Sequence, residues 1–278
     1  MPSPTEITVP QLSRLIGTPE APVLIDICTD EDFEADPRLV PGAFRHPFPR
    51  IGELAPSLRD RKTVVICQKG RKLSQGAAAI LRCHGVAAEH LAGGNWAWRD
   101  ADLPLVPAAA IPTRNAQGAT LWVTRQRPKI DRIACPWVIR RFIDPSAKFL
   151  FVAPGEVEAV ADRFNATPFD IEGAFWSHRG ERCSFDVMLE EFALSTEPLE
   201  RLATIVRGAD TNRHELAPQA AGLLAASLGL SRMFKDDLAQ LQAGMTLYDA
   251  FYRWARDATD EGHDWPTAPE RTRAGAHG

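Results

Sequence analysis

Thr63-Val64-Val65-Ile66 runs without a polar break into Cys67-Gln68-Lys69-Gly70-Arg71-Lys72, and a helical pattern follows over 73–84. A strand lacking polar alternation is covered on both faces, and a strand that feeds directly into a helix is the repeating unit of a parallel sheet. Val23-Leu24-Ile25-Asp26 is a second strand of this kind, a short helix is expected over 12–16, and His90-Leu91-Ala92 enters Gly93-Gly94. Residues 5–106 therefore read as strands alternating with helices, and Gly85 is the expected stop of the 73–84 helix.

Residues 104–118 are rich in proline, alanine and polar residues and read as a linker region. The expected domains are 5–108, a linker at 109–118, a second domain at 119–258 and a frayed tail at 259–278. The second domain opens with a strand over 121–124, followed by a helix over 131–143 in which Pro136 is awkward. A strand at 149–152 and a helix at 157–164 come next. Beyond Pro198 the three- and four-residue apolar spacing predicts helices over 201–207, 216–228 and 235–255. The expected fold is a parallel-sheet α/β domain followed by a mostly helical α+β domain.

Composition removes several function classes. The 32 basic and 36 acidic residues leave a net charge of −4, so no bulk electrostatics support a grip on nucleic acid. The longest small-apolar stretch, 220–230, is too short to span a bilayer, and the amino terminus has no secretory pattern. Five scattered cysteines without a CxxC pair argue against a disulfide scaffold and for a reducing cytoplasm.

Chemistry concentrates at Cys67. A loop between a strand and a helix converges its backbone N–H groups, and the helix N-terminus adds its positive end. Lys69, Arg71 and Lys72 add formal charge, favouring a thiolate and an anionic group beside it. Cys28 and Cys83 read instead as buried structural cysteines, and Asp26 as a structural hydrogen-bond acceptor.

These segments resemble the rhodanese family. Leu24-Ile25-Asp26, Val40-Pro41-Gly42-Ala43, the six-residue loop from Cys67 to Lys72, and Leu91-Ala92-Gly93-Gly94 with Trp98 and Leu103-Pro104 carry the likeness. It implies a rhodanese-like fold in which Cys67 takes a sulfane sulfur from an anionic donor such as thiosulfate. The resulting persulfide then passes its sulfur to a thiol or cyanide-like acceptor, without a cofactor. Gln68, Lys69, Gly70, Arg71 and Lys72 would bind the donor. Cys28 and Lys72 stand where many relatives carry arginine, and lysine cannot give a planar bidentate contact.

The second domain lacks a named catalytic signature but holds Asp131 and Cys135 one helical turn apart, His178 with Cys183 and Asp186, and Asp210 with His214. His178, Cys183, Asp131, Asp186 and Asp210 are the candidate ligands of a divalent transition metal. His178 with Arg179 and Arg182 is the alternative, an oxyanion grip. This half resembles the carboxy-terminal domain of the ChrB family of chromate resistance proteins. The matching segments are Trp122-Val123-Thr124, Asp131-Arg132-Ile133-Ala134, 137–144, Pro168-Phe169-Asp170, His178 with 183–186, and 205–210. The likeness implies a role in chromate tolerance, with chromate itself as a candidate ligand.

A sulfurtransferase coupled to a chromate-linked domain is the leading reading. A chromate- or oxyanion-responsive sensor without turnover is the alternative, and an inactive scaffold is the third. No membrane or nucleic-acid partner is expected, and assembly as a homodimer stays open.

Overall fold

A computed structural model describes residues 5–262. The first half alternates as expected: β1 (Glu6–Ile7), α1 (Val9–Leu15), β2 (Val23–Asp26), α2 (Asp30–Ala35), β3 (Arg38–Leu39), β4 (Ala43–Arg45), β5 (Thr63–Ile66), α3 (Lys72–Cys83), β6 (Ala88–Leu91), α4 (Gly94–Asp100) and β7 (Val106–Pro107). A 3-10 segment, Phe48–Leu58, separates β4 from β5. Five strands form one parallel sheet in the order β1-β6-β5-β2-β4, with Asp26 in register with Ile66. α1 begins under a Thr8–Gln11 capping box, with Pro10 in its first turn where a missing N–H costs nothing.

The period of two explains how β5 serves both faces. Val65 and Cys67 join the core beneath α3 and the 3-10 segment, with Ile25, Ala78 and Leu81. Val64 and Ile66 face the other way, into a core continuous with that of the second half. That seam is tight. A Cβ added at Gly17 would lie 2.3 Å from the Phe142 ring and 2.9 Å from that of Tyr252. Gly42 N–H donates to the Phe142 carbonyl at 2.5 Å, and the Arg256 guanidinium donates to the Arg14 carbonyl at 3.1 Å.

The second half comprises β8 (Leu121–Arg125), α5 (Asp131–Val138), β9 (Lys148–Val152), α6 (Val157–Phe164), β10 (Thr167–Pro168), α7 (Ser184–Glu191), α8 (Glu197–Asp210), α9 (Ala220–Met233) and α10 (Asp237–Asp257). A small parallel sheet, β10-β8-β9, lies beside the helices. Trp137, fully buried, donates its indole N–H to Asp249 at 2.8 Å, and Asp249 also takes a two-pronged contact from Arg141.

Three expectations need correction. The 131–143 helix is α-helical only to Val138; Ile139–Ile143 widens into a π turn, closed by Asp144 N–H on the Ile139 carbonyl at 2.7 Å. Pro136, with no N–H, interrupts the regular ladder just before it. The 216–228 helix instead runs over Ala220–Met233, because Pro218 keeps the preceding Ala217 extended and His214–Leu216 forms a separate 3-10 turn. Cys83, expected to be buried, is exposed at the end of α3. The part of the expected tail at 263–278 lies outside the described residues.

Candidate functional site

Cys67 follows β5 directly, on the α3 side of the sheet, and is only 5% exposed. Its thiol donates to Ser74 Oγ at 3.2 Å, and Ser74 is fully buried in the first turn of α3. Once the sulfur is a thiolate the hydroxyl reverses its role and donates. The loop is pinned by the start of α4. Asn95 N–H donates to the Cys67 carbonyl at 3.1 Å and Trp96 N–H to the Gln68 carbonyl at 3.0 Å. The Asn95 side-chain amide donates to Asp26 Oδ2 at 2.8 Å, and Asp26 Oδ1 accepts Cys28 N–H at 3.0 Å. Asp26 is thus a structural anchor. Burial raises its carboxyl above the usual range, although these hydrogen bonds oppose the rise.

Two glycines make the approach possible. Gly70 has φ +61°, and a Cβ there would meet the Leu91 carbonyl oxygen at 2.4 Å and Gly94 N at 2.5 Å. At Gly94, φ +60°, a Cβ would lie 2.0 Å from the Cys67 carbonyl oxygen. Cys67, Gln68, Lys69, Arg71 and Lys72 line a pocket of about 430 Å³ that also includes Asp32. Lys69, Arg71 and Lys72 are exposed, and among the described residues none of them forms an ion pair. Lys69 Nζ rests 4.5 Å from the centre of the Trp96 ring. Cys28 is buried beside this site, its thiol pushed up first by burial and then by Asp26.

In the second half the structure brings His178, Asp131 and Asp210 together and adds Asp170. His178 Nε2 lies 3.4 Å from Asp131 Oδ2, 3.5 Å from Asp170 Oδ1 and 3.3 Å from Asp210 Oδ2. Donor atoms of Asp131, Asp170 and His178 all fall within 4.8 Å of one another. Asp131 is completely buried at the start of α5, and its other oxygen, Oδ1, has no hydrogen-bond partner. The preceding residue, Ile130, holds φ +42°, a region that β-branched residues avoid. Ser227 Oγ on its N–H and the Tyr248 hydroxyl on its carbonyl fix it there. Asp170 is oriented by Arg132 at 3.3 Å and Arg125 at 3.5 Å on Oδ2, and by Ser184 Oγ at 2.7 Å on Oδ1.

The electrostatics follow from that crowding. The three carboxylates push the His178 imidazole up to about 12, against the opposing effect of burial. Burial, more than its neighbours, raises Asp131 to about 7. Burial also acts upward on Asp170, but His178, Ser184 and Arg132 outweigh it and hold that carboxyl low.

Cys183 and Asp186, expected among the metal ligands, stand apart. Asp186 Oδ2 accepts Cys183 N–H at 2.9 Å and Oδ1 accepts Arg207 at 2.8 Å, so both oxygens are occupied at the start of α7. The Cys183 thiol is buried and held protonated, first by burial and then by the Asp131 and Asp186 charges. The oxyanion alternative also changes, since Arg179 pairs with Glu191 and Arg182 with Glu190 rather than joining His178. Asp170 is the residue that residue-type spacing missed; its place in the Pro168-Phe169-Asp170 segment was the available signal.

Comparison with known proteins gives the following likenesses. Residues 122–255 match the family described as ChrB, C-terminal domain. Protein ChrB of Cupriavidus metallidurans is 33% identical over 210 residues, covering 70% of this chain and 63% of that protein. The chain thus spans a little under two thirds of that relative's length. Among solved structures, a Staphylococcus saprophyticus protein is 26% identical with a TM-score of 0.30, covering 34% of this chain and 91% of its own. A rhodanese-related protein of Thermoplasma volcanium is 22% identical with a TM-score of 0.32, covering 36% of this chain and 96% of its own. The architecture is a parallel-sheet α/β domain followed by a mostly helical domain. By sequence, that second domain is similar to the family described as ChrB, C-terminal domain.

Proposed function

We propose that the chain is a rhodanese-type sulfurtransferase working in chromate-linked stress. The observation that carries this reading is the buried Cys67 on a pocket whose three cations, Lys69, Arg71 and Lys72, have no acidic partner among the described residues. An anionic sulfane donor such as thiosulfate would enter there, drawn by those charges. The Cys67 thiolate attacks the outer sulfur of thiosulfate. The donor's S–S bond breaks, sulfite leaves with the electron pair, and Cys67 holds a persulfide. A thiol or cyanide then attacks the terminal sulfur and returns the Cys67 thiolate. Ser74 Oγ, 3.2 Å from the sulfur, supplies a hydrogen bond to the anionic form. No cofactor enters these steps. The link to chromate rests on the ChrB kinship of the second domain, and the cycle needs a reducing compartment such as the cytoplasm.

The test is to incubate the protein with thiosulfate and follow sulfite release, thiocyanate formation with cyanide, and intact mass. One added sulfur on Cys67 is the expected result, absent in Cys67→Ser. A wild-type protein that never acquires the sulfur, or a serine variant that turns over normally, defeats the reading.

A further inference from the structure

Hydrogen-bond arithmetic fails at His178. A single Nε2–H donates to one acceptor, yet three carboxylate oxygens crowd that nitrogen at 3.3–3.5 Å. Those distances are long for charge-assisted hydrogen bonds, which run at about 2.7–2.9 Å. They match another arrangement. Two ligands each about 2.1 Å from a shared ion lie about 3.0–3.4 Å apart, depending on octahedral or tetrahedral geometry.

A second observation is independent of the clustering. Asp131 Oδ1 is buried and unpartnered, in a carboxylate with no exposure at all. Leaving such an oxygen desolvated and unbonded is costly. The ligands are also braced from outside, as metal-binding carboxylates are: Ser184 N–H donates to Asp131 Oδ2 at 2.6 Å, while Arg132 and Ser184 hold the two oxygens of Asp170.

We propose that Asp131, Asp170 and His178, with Asp210 as a fourth ligand, bind one divalent first-row cation of the manganese type. Three carboxylates with a single imidazole and no thiolate favour a hard, oxygen-seeking ion over zinc. Binding displaces the Nε2 proton to solvent and leaves the neutral ring as ligand. The His178 side chain is 40% exposed and lines an open cleft of about 440 Å³ with Asp170, Ser177 and Arg125. The ion therefore keeps open positions toward solvent, and Arg125, whose Nε is unpartnered, stands beside them. A small oxyanion is the chemical class that suits an exchangeable position next to a guanidinium.

The full-length chain, stripped with a chelator, is titrated with Mn(II) while free Mn(II) is followed by electron paramagnetic resonance. One ion bound per chain is expected. His178→Ala and Asp170→Asn should each weaken binding by about 10-fold or more, with circular dichroism unchanged for the half-exposed histidine. Cys183→Ser, which alters a buried thiol outside the cluster, should bind as the wild type does. No saturable binding by the folded wild type overturns the proposal. So does binding that survives His178→Ala, or binding that is lost equally in Cys183→Ser. Tighter retention of Zn(II) than of Mn(II) under competition overturns the assignment of ion class.

Discussion

Replacing Gly70 by alanine puts a methyl group where three backbone atoms already converge. Its Cβ would sit 2.4 Å from the Leu91 carbonyl oxygen, 2.5 Å from Gly94 N and 2.6 Å from Gly93 N. None of these is the yielding end of a side chain, so the loop itself must move. The left-handed φ of +61° adds roughly 1–2 kcal/mol for an L side chain, and forced overpacking adds about 1–3 kcal/mol. A cost near 3 kcal/mol lowers the melting temperature by about 6–12 °C for a chain of this size. That is below the usual stability of about 5–15 kcal/mol, so the protein stays folded with a displaced cradle. Thermal melts paired with persulfide yield after thiosulfate should show both losses. Gly76 is the internal control, because it lies inside α3 and an added Cβ there meets nothing within 4 Å. Gly76→Ala should instead gain about 0.5–1 kcal/mol and keep full sulfur transfer. A Gly70→Ala protein that melts and reacts like wild type would refute the reasoning.

Four further outcomes are expected. Cys28→Ser and Cys83→Ser should retain most sulfur transfer while Cys67→Ser loses it, read by thiocyanate formation. Alanine at Lys69, Arg71 or Lys72 should raise the KM for thiosulfate, and added salt should raise the wild-type value in the same direction; a KM insensitive to both counts against the cradle. Asp249→Ala should cost about 1–3 kcal/mol in denaturant unfolding, because it strands the buried Trp137 N–H. Asp26, raised by burial, keeps in the folded state a proton that the unfolded chain has released. Its contribution to stability therefore falls as pH rises above the ordinary carboxyl range, and Asp26→Asn should flatten that part of the pH–stability curve.

The Cys67 cradle was legible in the sequence because strand, loop and helix are contiguous and each leaves a local signature. Thr63-Val64-Val65-Ile66 marks a doubly covered strand, and Gly70 marks a turn that a side chain would block. The His178 cluster was only partly legible. Its members come from the start of α5, the segment after β10, the loop before α7 and the end of α8, and no spacing rule joins them. Cys183 and Asp186 looked like ligands because thiol and carboxylate are ligand types, but a helix start consumes both in its own hydrogen bonding. Asp170 carries no local signature of a donor, since nothing nearby in sequence distinguishes a carboxylate braced by distant arginines from a surface acid. The π turn after Val138 was foreshadowed by Pro136, whereas its five-residue extent carries no local sequence signature.

The fit of Gly17 against Phe142 and Tyr252 bears on how such a fusion is inherited. Had the two halves been joined as beads on a string, recombination could exchange one α/β module for another at the proline-rich segment. Here an incoming module must bring a residue without a side chain at position 17. It must also present the apolar face that Leu12, Ile16, Val64 and Ile66 turn toward the other half. Substitutions on one side of the seam change what is tolerated on the other, so the halves are constrained to diverge as a matched pair.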